Sequence, residues 1–246
     1  MGYAADGLIA IHDMAIGYGR KVVARGLHVS VPAGRLACLV GENGVGKSTL
    51  LKTIAGFQKP LSGKLYLQGR EAAGLTHEDH SRLLSVVLTQ KPEVQNITVR
   101  ELVGLGRSPY TGFWGSLTDA DKAIVDEAIQ LVGISQLGGR TVSTLSDGER
   151  QKAMIARAMA QQTPIILLDE PTAFLDYPGK VEMMRLLRRM ATEMHKVVLL
   201  STHDLELALQ FADTLFYIGD GSLREISKAE LSDYIVNITQ GSGKGA

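Results

Sequence analysis

The sequence predicts an α/β fold in which a parallel sheet is joined by an N-terminal antiparallel β subdomain and an inserted helical subdomain. Three observations support this prediction: short continuous apolar runs, an alternating apolar pattern near the N-terminus, and a helical pattern in the middle of the chain. The 246 residues, 45% apolar and 21% charged, suit one large domain or one domain with an insertion.

Four apolar segments of four or five residues predict the strands of the parallel sheet. They are residues 36–40, 85–89, 165–168 and 197–200. Runs this apolar are typical of strands that are buried on both faces. Polar residues follow each run, and parallel sheets bind their ligands beyond the carboxyl ends of the strands. We therefore expect the four strand ends to form one ligand site.

Alternating residues predict antiparallel strands outside this sheet. Leu27, Val29 and Val31 alternate with polar residues, as in a half-buried strand, and residues 65–67 have the same pattern. Residues 219–221, Gly-Asp-Gly, separate two apolar segments and predict a hairpin turn.

Residues 91–163 have a helical pattern. Thr98 and Thr118 each precede an acidic residue by three positions, which predicts a capping box and a helix start. Glycines and a proline over residues 104–115 predict a loop between the two helices. The predicted apolar face of the second helix consists of Ile124, Ala128 and Leu131, flanked by Val125, Ile129 and Val132.

These patterns predict a single domain over residues 1–240. Its core spans residues 1–90 and 164–240, and the helical subdomain spans residues 91–163. Residues 241–246, rich in glycine, are expected to form a flexible tail.

Charge and composition exclude several classes of function. The chain has 26 basic and 26 acidic residues, so it lacks the basic excess that binds a nucleic-acid backbone, and we expect no nucleic-acid partner. No apolar run approaches the roughly 20 residues of a membrane span, and the first residues lack the basic start of a secretory signal. The single cysteine, Cys38, is expected to lie in the core. We expect a cytoplasmic protein.

Residues 41–49, Gly-Glu-Asn-Gly-Val-Gly-Lys-Ser-Thr, match the phosphate-binding pattern G-x-x-x-x-G-K-[ST]. The glycines let backbone N–H groups surround nucleotide phosphates, and the following helix, expected from Ser48 to about Phe57, favours negative charge at its start. Lys47 would reach the β- and γ-phosphates and Ser48 would ligate Mg²⁺. A glycine-rich turn with a solvated lysine is the structural alternative. The predicted contacts are Gly41, Glu42, Asn43, Gly44, Val45, Gly46, Lys47, Ser48 and Thr49.

Two acidic residues end the third apolar run. An acidic residue at the end of a buried strand is costly unless it serves a cation, so Asp169 is predicted to hold Mg²⁺. Glu170 is placed to accept a proton from an attacking water molecule. The alternative is a plain strand end followed by a turn at Pro171.

Residues 145–149, Leu-Ser-Asp-Gly-Glu, precede a helix predicted over residues 150–161. Ser146 and Glu149 form a capping box, so local structure accounts for the segment by itself. The functional alternative is an anion site at the start of the helix.

In their order and spacing, these segments, together with Gln90 and His203, resemble the ATP-binding-cassette ATPases. The resemblance covers residues 8–226 and implies a P-loop NTPase (RecA-like) core that hydrolyses ATP with Mg²⁺. In that family two cassettes pair head to tail, and each ATP lies between one phosphate loop and the signature segment of the partner. The resemblance thus implies an ATP-dependent homodimer in which Ser146 and Gly148 contact the nucleotide of the other copy.

The resemblance assigns roles to further residues. Gln90 matches the glutamine that senses Mg²⁺ and the attacking water, and His203 matches the histidine that contacts the γ-phosphate. Tyr18 matches the aromatic residue that stacks on adenine, and Asp176 matches the aspartate that communicates across the dimer. Taken alone, Tyr18 could be an edge-strand tyrosine and His203 a structural histidine. The resulting catalytic set is Glu170, His203 and Gln90, and the Mg²⁺ set is Ser48, Gln90 and Asp169.

The signature segment departs from the family's usual Leu-Ser-Gly-Gly-Gln. Asp147 replaces the first glycine and Glu149 replaces the glutamine. A carboxylate near a γ-phosphate would repel it, so we expect Asp147 to point away from the nucleotide. Neither change removes a group assigned to the chemistry, and hydrolysis is still expected.

Residues 98–109 and 201–208 resemble the branch of the family that imports iron chelates, haem and cobalamin. This resemblance implies an ATPase subunit at the cytoplasmic face of the membrane, bound to a separate integral membrane permease and served indirectly by an external substrate-binding protein. Residues 91–96 and 105–110 would receive the permease. The alternative is a soluble ATPase of the same family that acts on a protein scaffold, as in iron–sulfur cluster assembly.

Overall fold

The computed structural model describes residues 7–88, 96–112 and 115–241. In these residues the chain forms ten strands and eight α-helices. The strands are β1 (Ile9–Tyr18), β2 (Lys21–Val31), β3 (Arg35–Val40), β4 (Ser62–Leu67), β5 (Arg70–Glu71), β6 (Leu84–Val87), β7 (Ile165–Asp169), β8 (Val197–Ser201), β9 (Thr214–Gly219) and β10 (Ser222–Ile226). The helices are α1 (Lys47–Ile54), α2 (His77–Leu83), α3 (Val99–Gly104), α4 (Asp119–Leu131), α5 (Asp147–Ala160), α6 (Tyr177–Glu193), α7 (Leu205–Phe211) and α8 (Lys228–Gly241).

The central sheet has six strands in the order β10-β9-β3-β8-β7-β6. Strands β9, β3, β8, β7 and β6 are parallel, and β10 is antiparallel to β9. The four predicted apolar runs are therefore neighbouring strands of one parallel sheet, as the sequence analysis expects. The order brings β3, β7 and β8 together at the middle of the sheet, where their carboxyl ends share one edge.

A second sheet of four antiparallel strands has the order β2-β1-β4-β5. In β2, Leu27, Val29 and Val31 are buried while His28 and Ser30 are exposed, which confirms the prediction made from their alternation. The hairpin between β9 and β10 is also confirmed. Its two turn residues, Asp220 and Gly221, both have positive φ angles, as a tight hairpin turn requires.

The two sheets and the helices enclose two apolar clusters, one on each face of the central sheet. Alternate residues of β3 contribute to them: Cys38 belongs to the cluster packed under α3 to α7, and Leu39 belongs to the cluster shared with α1 and the antiparallel sheet. Because both faces are covered, the polar groups of the strands are reachable only at the strand ends.

The helical part of the chain confirms both predicted capping boxes. The Thr98 and Thr118 side chains each accept a hydrogen bond from the main-chain N–H three residues later. The predicted loop over residues 104–115 is partly wrong, because Gly104 ends α3 and Leu105–Tyr110 forms a 3₁₀ helix. We call this segment the 105–110 helix.

Several boundaries differ from the predictions. Helix α1 ends at Ile54, because Gly56 takes a positive φ angle, and α5 begins at Asp147 with Ser146 as its N-cap. Helix α8 was not predicted, and it includes Gly241, the first residue of the expected tail. The rest of that tail, Gln90 and residues 91–95 lie outside the described residues, and the subdomain boundaries stay predictions. Among the described residues, no helix combines the length and apolarity needed to span a membrane.

Candidate nucleotide-binding site

The carboxyl ends of β3, β7 and β8 lie level with one another. Ser201, the last residue of β8, pairs with Leu39 on one side and with Asp169 on the other. The phosphate loop begins two residues after Leu39, so it leaves the sheet beside Asp169 and Ser201. The predicted convergence of strand ends is thus present for the three central strands.

Glycines 41, 44 and 46 give the phosphate loop its path. All three have positive φ angles, which side chains rarely allow. A Cβ atom at Gly41 would overlap the main-chain carbonyl of Ile218, and one at Gly46 would lie 2.5 Å from a Val23 methyl group. Gly46 is also the N-cap of α1 and supplies no side-chain cap. The first N–H groups of α1 are therefore available to an anion.

The Lys47 side chain curls back into this loop. Its Nζ donates hydrogen bonds to the carbonyl oxygens of Gly41, at 2.7 Å, and Glu42, at 2.8 Å. Burial lowers the pKa of Lys47, and the negative charges of Glu170 and Asp169 oppose that shift. The phosphate loop thus encloses an amine that two carboxylates help to keep charged, which suits the binding of phosphate groups.

Asp169 lies between two hydroxyl groups. Ser48 Oγ donates to Asp169 Oδ1 at 3.0 Å, and Ser201 Oγ donates to the same oxygen at 2.6 Å. Asp169 is 6% exposed, so its charge is largely shielded from bulk water. Mg²⁺ prefers oxygen ligands and is commonly held by one or two carboxylates together with substrate phosphates. No cluster of three or more His, Cys, Asp or Glu residues suited to a metal occurs in the described ranges. The hydroxyl group of Ser48 and the carboxylate of Asp169 are oxygen ligands of the kind Mg²⁺ prefers, so this pair fits an ion that also takes ligands from a nucleotide.

Glu170 faces the same strand ends with an unusual backbone. Its φ angle is 49°, in the left-handed region, and its main-chain N–H lies 3.0 Å from Ser201 Oγ and 3.2 Å from the Ser201 carbonyl. Its carboxylate Oε2 lies 3.0 Å from His203 Nδ1. The Glu170 side chain is 23% exposed and that of His203 is 52% exposed. Residues with strained backbone angles are common at functional sites. The backbone of Glu170 is fixed by Ser201, and its carboxylate is partly exposed to water.

Ser201 is one of the polar residues that follow the fourth apolar run, but the sequence predicts no specific role for it. Its hydroxyl group donates a hydrogen bond to the Asp169 carboxylate and accepts one from the main-chain N–H of Glu170. The signal that could have assigned its role is a hydroxyl residue at the end of a buried strand, two positions before His203.

The signature segment forms the start of α5. The Ser146 side chain accepts from the N–H of Glu149 at 3.3 Å, and the Ser146 N–H and hydroxyl donate to Glu149 Oε2 at 2.8 and 2.9 Å. These hydrogen bonds lower the pKa of the Glu149 carboxyl. The capping box predicted from local structure is thus confirmed. Asp147 lies 3.6 Å from Arg150, a partner on its own helix. A nucleotide contact at Ser146 or Gly148, and the orientation of Asp147 relative to a nucleotide, stay predictions.

Tyr18 and Asp176 lie near different parts of the site. The Tyr18 hydroxyl lies 3.1 Å from Thr49 Oγ1, beside the phosphate loop, and Tyr18 is 52% exposed. Asp176 is the N-cap of α6 and accepts a hydrogen bond from the N–H of Gly179 at 3.0 Å. Asp176 and Gly148 line a shared cavity of about 410 Å³. Gln90 lies outside the described residues.

Comparisons with known proteins identify the family of this chain. A family model described as ABC transporter matches residues 24–173. An uncharacterised ABC transporter ATP-binding protein of Methanocaldococcus jannaschii is 42% identical over 211 residues, which are 86% of this chain and 73% of that protein. The iron(3+)-hydroxamate import ATP-binding protein of Bacillus subtilis is 35% identical over 87% of this chain and 80% of its own length. The ferric enterobactin transport ATP-binding protein of Escherichia coli is 34% identical over 92% and 86% of the two chains.

Solved structures show the same fold. A protein described as a metal-chelate type ABC transporter in an inward-facing conformation superposes with a TM-score of 0.80 at 23% identity, over 91% of this chain and 84% of the other. A dimeric ATP-binding cassette in a post-hydrolysis state, bound to ADP and phosphate, superposes with a TM-score of 0.79 at 25% identity, over 89% and 98%. With its phosphate loop, its Ser48–Asp169 pair and its Glu170 at one sheet edge, this chain belongs to the ABC transporter family as one of the family's ATP-hydrolysing cassettes.

Proposed function

We propose that this chain is the ATPase subunit of an importer that moves a metal chelate, such as a ferric siderophore, haem or cobalamin, through a separate membrane permease. The observation that supports the ATPase part is the grouping of Lys47, Ser48–Asp169 and Glu170–His203 at one edge of the sheet. The cargo class rests on the relatives, whose names include iron(3+)-hydroxamate, ferric enterobactin and cobalamin import.

In this proposal the phosphate loop binds the phosphates of ATP. Its N–H groups and Lys47 bind the β- and γ-phosphates, while Ser48 and Asp169, together with Gln90, hold Mg²⁺. The bound ion neutralises negative charge on the phosphates. Tyr18 offers its exposed ring to the adenine. Lys47 exchanges its hydrogen bonds to the carbonyl oxygens of the loop for hydrogen bonds to phosphate oxygens. Its ammonium group therefore has acceptors both before and after ATP binds.

Glu170 acts as the general base. Its carboxylate accepts a proton from the attacking water as the water oxygen bonds to the γ-phosphorus. The bond from that phosphorus to the bridging oxygen breaks, and ADP and phosphate are formed. His203, held 3.0 Å from Glu170, contacts the γ-phosphate and orients the carboxylate. The main-chain N–H of Glu170 donates to Ser201, and this bonding holds the backbone of Glu170 in place during turnover.

Two copies pair head to tail around two ATP molecules. Ser146 and Gly148 of one copy contact the γ-phosphate bound by the other, and Asp176 lies at the interface. A dimeric cassette among the similar structures supports the pairing of two copies. When ATP binds, the two copies close around it, and the start of α5 in one copy approaches the phosphate loop of its partner. ATP binding therefore changes the distance between the two subunits.

The proposed subunit works at the cytoplasmic face of the membrane. The core comprises residues 1–90 and 164–240, and the helical subdomain, residues 91–163, receives the permease around residues 91–96 and the 105–110 helix. Leu105 and Tyr110 are exposed apolar side chains on that surface, 54% and 40% accessible. An external substrate-binding protein delivers the cargo to the permease.

The test is affinity purification of the chain from membranes of its own cells, followed by mass spectrometry and by uptake assays. We expect a polytopic membrane protein to accompany the chain. We also expect uptake of a labelled ferric siderophore, haem or cobalamin to stop when Glu170→Gln replaces the wild-type chain. Copurification of a soluble scaffold, with uptake of all three cargoes intact, would reject the importer and leave the ATPase in place.

A further inference from the structure

Arg107 is a buried cation in the middle of the 105–110 helix. Its Nε donates to Asp121 Oδ1 at 2.9 Å, and the side chains of this ion pair are only 7% and 10% exposed. Its Nη1 donates to the carbonyl of Ala160 at 2.8 Å and to Gln162 Oε1 at 3.0 Å. The guanidinium carbon lies 4.2 Å from the centre of the Tyr110 ring. A buried charge is costly unless it is paired and hydrogen-bonded, and these contacts provide Arg107 with both kinds of partner.

The hydrogen-bond partners of Arg107 lie in α4, at the end of α5 and in the turn that follows α5. Asp121 is the N3 residue of the capping box that starts α4. Ala160 is the last residue of α5, and its carbonyl is one of the unpaired groups that end a helix. The other end of α5 is the signature segment at Ser146. The 14 residues of α5 span about 21 Å at 1.5 Å per residue, so Arg107 holds the far end of the helix that is proposed to contact ATP.

Further contacts fasten the 105–110 helix to the last turn of α5. A Cβ atom at Gly106 would overlap the carbonyl oxygen of Arg157. Glycine at this position therefore lets the backbone of the 105–110 helix lie directly against α5. The Tyr110 hydroxyl donates to the carbonyl of Gln161 at 3.0 Å. Leu105 and Tyr110 flank the buried Arg107 and are exposed to solvent. One face of the 105–110 helix is therefore available to a partner, and the other is bound to α5.

The same turn of α5 is bonded to the central sheet region. Gln161 Nε2 donates to the carbonyls of Ser81, at 2.6 Å, and Leu84, at 3.0 Å, where α2 meets β6. Arg157 Nη2 donates to the carbonyl of Val86 in β6 at 3.3 Å. Hydrogen-bonded groups therefore connect the 105–110 helix to α5 and connect the end of α5 to β6.

We propose that Arg107 is a positioning residue that couples the exposed surface of the 105–110 helix to the start of α5. The inference rests on the proposed function, in which that surface receives the permease and that helix start contacts ATP. Arg107 itself is 6% exposed and acts through α5 and α4. Its planar group with several donors is needed because it must bond to a carboxylate and two oxygen acceptors together.

The test variant removes both charges of the ion pair, Arg107→Met with Asp121→Asn, so that no unpaired charge is left buried. The matched control is Arg100→Met with Asp126→Asn. These two residues form an ion pair that links α3 to α4 at the surface. Arg107→Lys keeps the charge and loses the planar group. All variants are purified in complex with the permease, and as the isolated chain.

The first measurement is the ratio of ATP turnover in the complex to turnover of the isolated chain. We expect the test variant to lower this ratio by about 2- to 30-fold, the range that changes within coupling networks produce. Arg107→Lys should recover part of the loss, and the control pair should match the wild type. A test variant with the wild-type ratio, or a control that loses as much, would overturn the proposal.

The second measurement needs no permease. In chains that also have Glu170→Gln, we expect ATP to slow amide hydrogen exchange in residues 105–110, and we expect this effect to be lost in the test variant. Protection that persists in the test variant would overturn the coupling role. If the wild-type chain has no permease partner, the importer fails while this second measurement still decides the role of Arg107.

Discussion

The carboxylate of Glu170 and the imidazole of His203 lie 3.0 Å apart, although one residue follows β7 and the other follows β8. Ser201, between these strand ends, donates to Asp169 and bonds to the backbone of Glu170. Two adjacent carboxylates therefore have different surroundings: Asp169 is buried among hydroxyl groups, and Glu170 faces water. This difference matches a division of roles between cation binding and proton transfer.

Glu170→Gln should nearly abolish ATP turnover while leaving ATP bound. Loss of a general base costs about 10²- to 10⁴-fold in rate, and glutamine keeps the size of the side chain. We expect steady-state turnover to fall by that factor and light scattering to detect an ATP-dependent dimer. Glu206→Gln, an exposed change at the start of α7, is the control. A variant that binds ATP and stays monomeric would contradict the head-to-tail dimer.

Lys47→Ala should weaken ATP binding. Hydrogen bonds to charged groups contribute about 1.5–3 kcal/mol, so the Kd for ATP should rise by about 10- to 150-fold. Calorimetry or a fluorescent ATP analogue gives the Kd. Lys52→Ala, a change to another lysine of α1, should bind ATP like the wild type. An unchanged Kd in Lys47→Ala would remove Lys47 from the proposed phosphate site.

Asp169→Asn should raise the Mg²⁺ concentration needed for half-maximal turnover. The amide retains a hydrogen-bond acceptor for Ser48 and Ser201 but loses the negative charge, so we expect an increase of about 10- to 100-fold. The control is Asp213→Asn. Asp213 accepts the N–H of Leu36 at 3.0 Å, at the opposite end of β3. Equal Mg²⁺ requirements in wild type and Asp169→Asn would argue against the proposed ion site.

Acid should destabilise the chain partly through Asp79. Hydrogen bonds from Thr76 and then from Arg70 lower the pKa of this carboxyl from 3.8 to about 2. Because the folded pKa lies below the unfolded one, the stability that Asp79 adds is complete above pH 4 and is lost as the pH falls toward 2. In Asp79→Asn, the free energy of unfolding should depend less on pH over this window. Denaturant titrations at pH 5, 4 and 3 measure it, and parallel curves for the two proteins would refute the assignment.

Much of the fold was predictable because the controlling interactions are local or periodic. The runs that form β3, β7 and β8 are apolar at successive positions, whereas a strand with a solvated face alternates apolar and polar residues. The polar residues after each run then mark the end of the strand. The capping boxes at Thr98 and Thr118 depend only on residues three positions apart. Such signals do not need knowledge of distant contacts.

The errors arise where a distant contact decides the structure. Gly106 was interpreted as a loop residue, but it allows the 105–110 helix to lie against the carbonyl of Arg157. In α4 the predicted apolar face included Leu131, which is 38% exposed, whereas Val125 and Val132 are buried. Ala128 of the predicted face is buried together with the flanking Val125, Ile129 and Val132, so the buried face is shifted toward these neighbours, where α4 contacts α3 and α5.

The candidate site shows the same division. The phosphate loop, Asp169 and Glu170 belong to short motifs whose spacing is informative. The role of Ser201 was not predicted because it depends on β8 lying between β3 and β7, a strand order that no single segment specifies. Arg107 was included only as part of a range, since its ion pair with Asp121 joins residues of different helices.

Cys38 has a practical consequence for following subunit movement. It is the only cysteine of the chain, it is fully buried in β3, and burial raises its pKa to about 12. Its thiol therefore stays protonated and shielded from alkylating reagents near neutral pH. A second cysteine placed at an exposed position, such as Arg185, becomes the sole attachment point for a dye or spin label. Distances between two labelled copies can then be recorded during ATP turnover without first removing the native thiol.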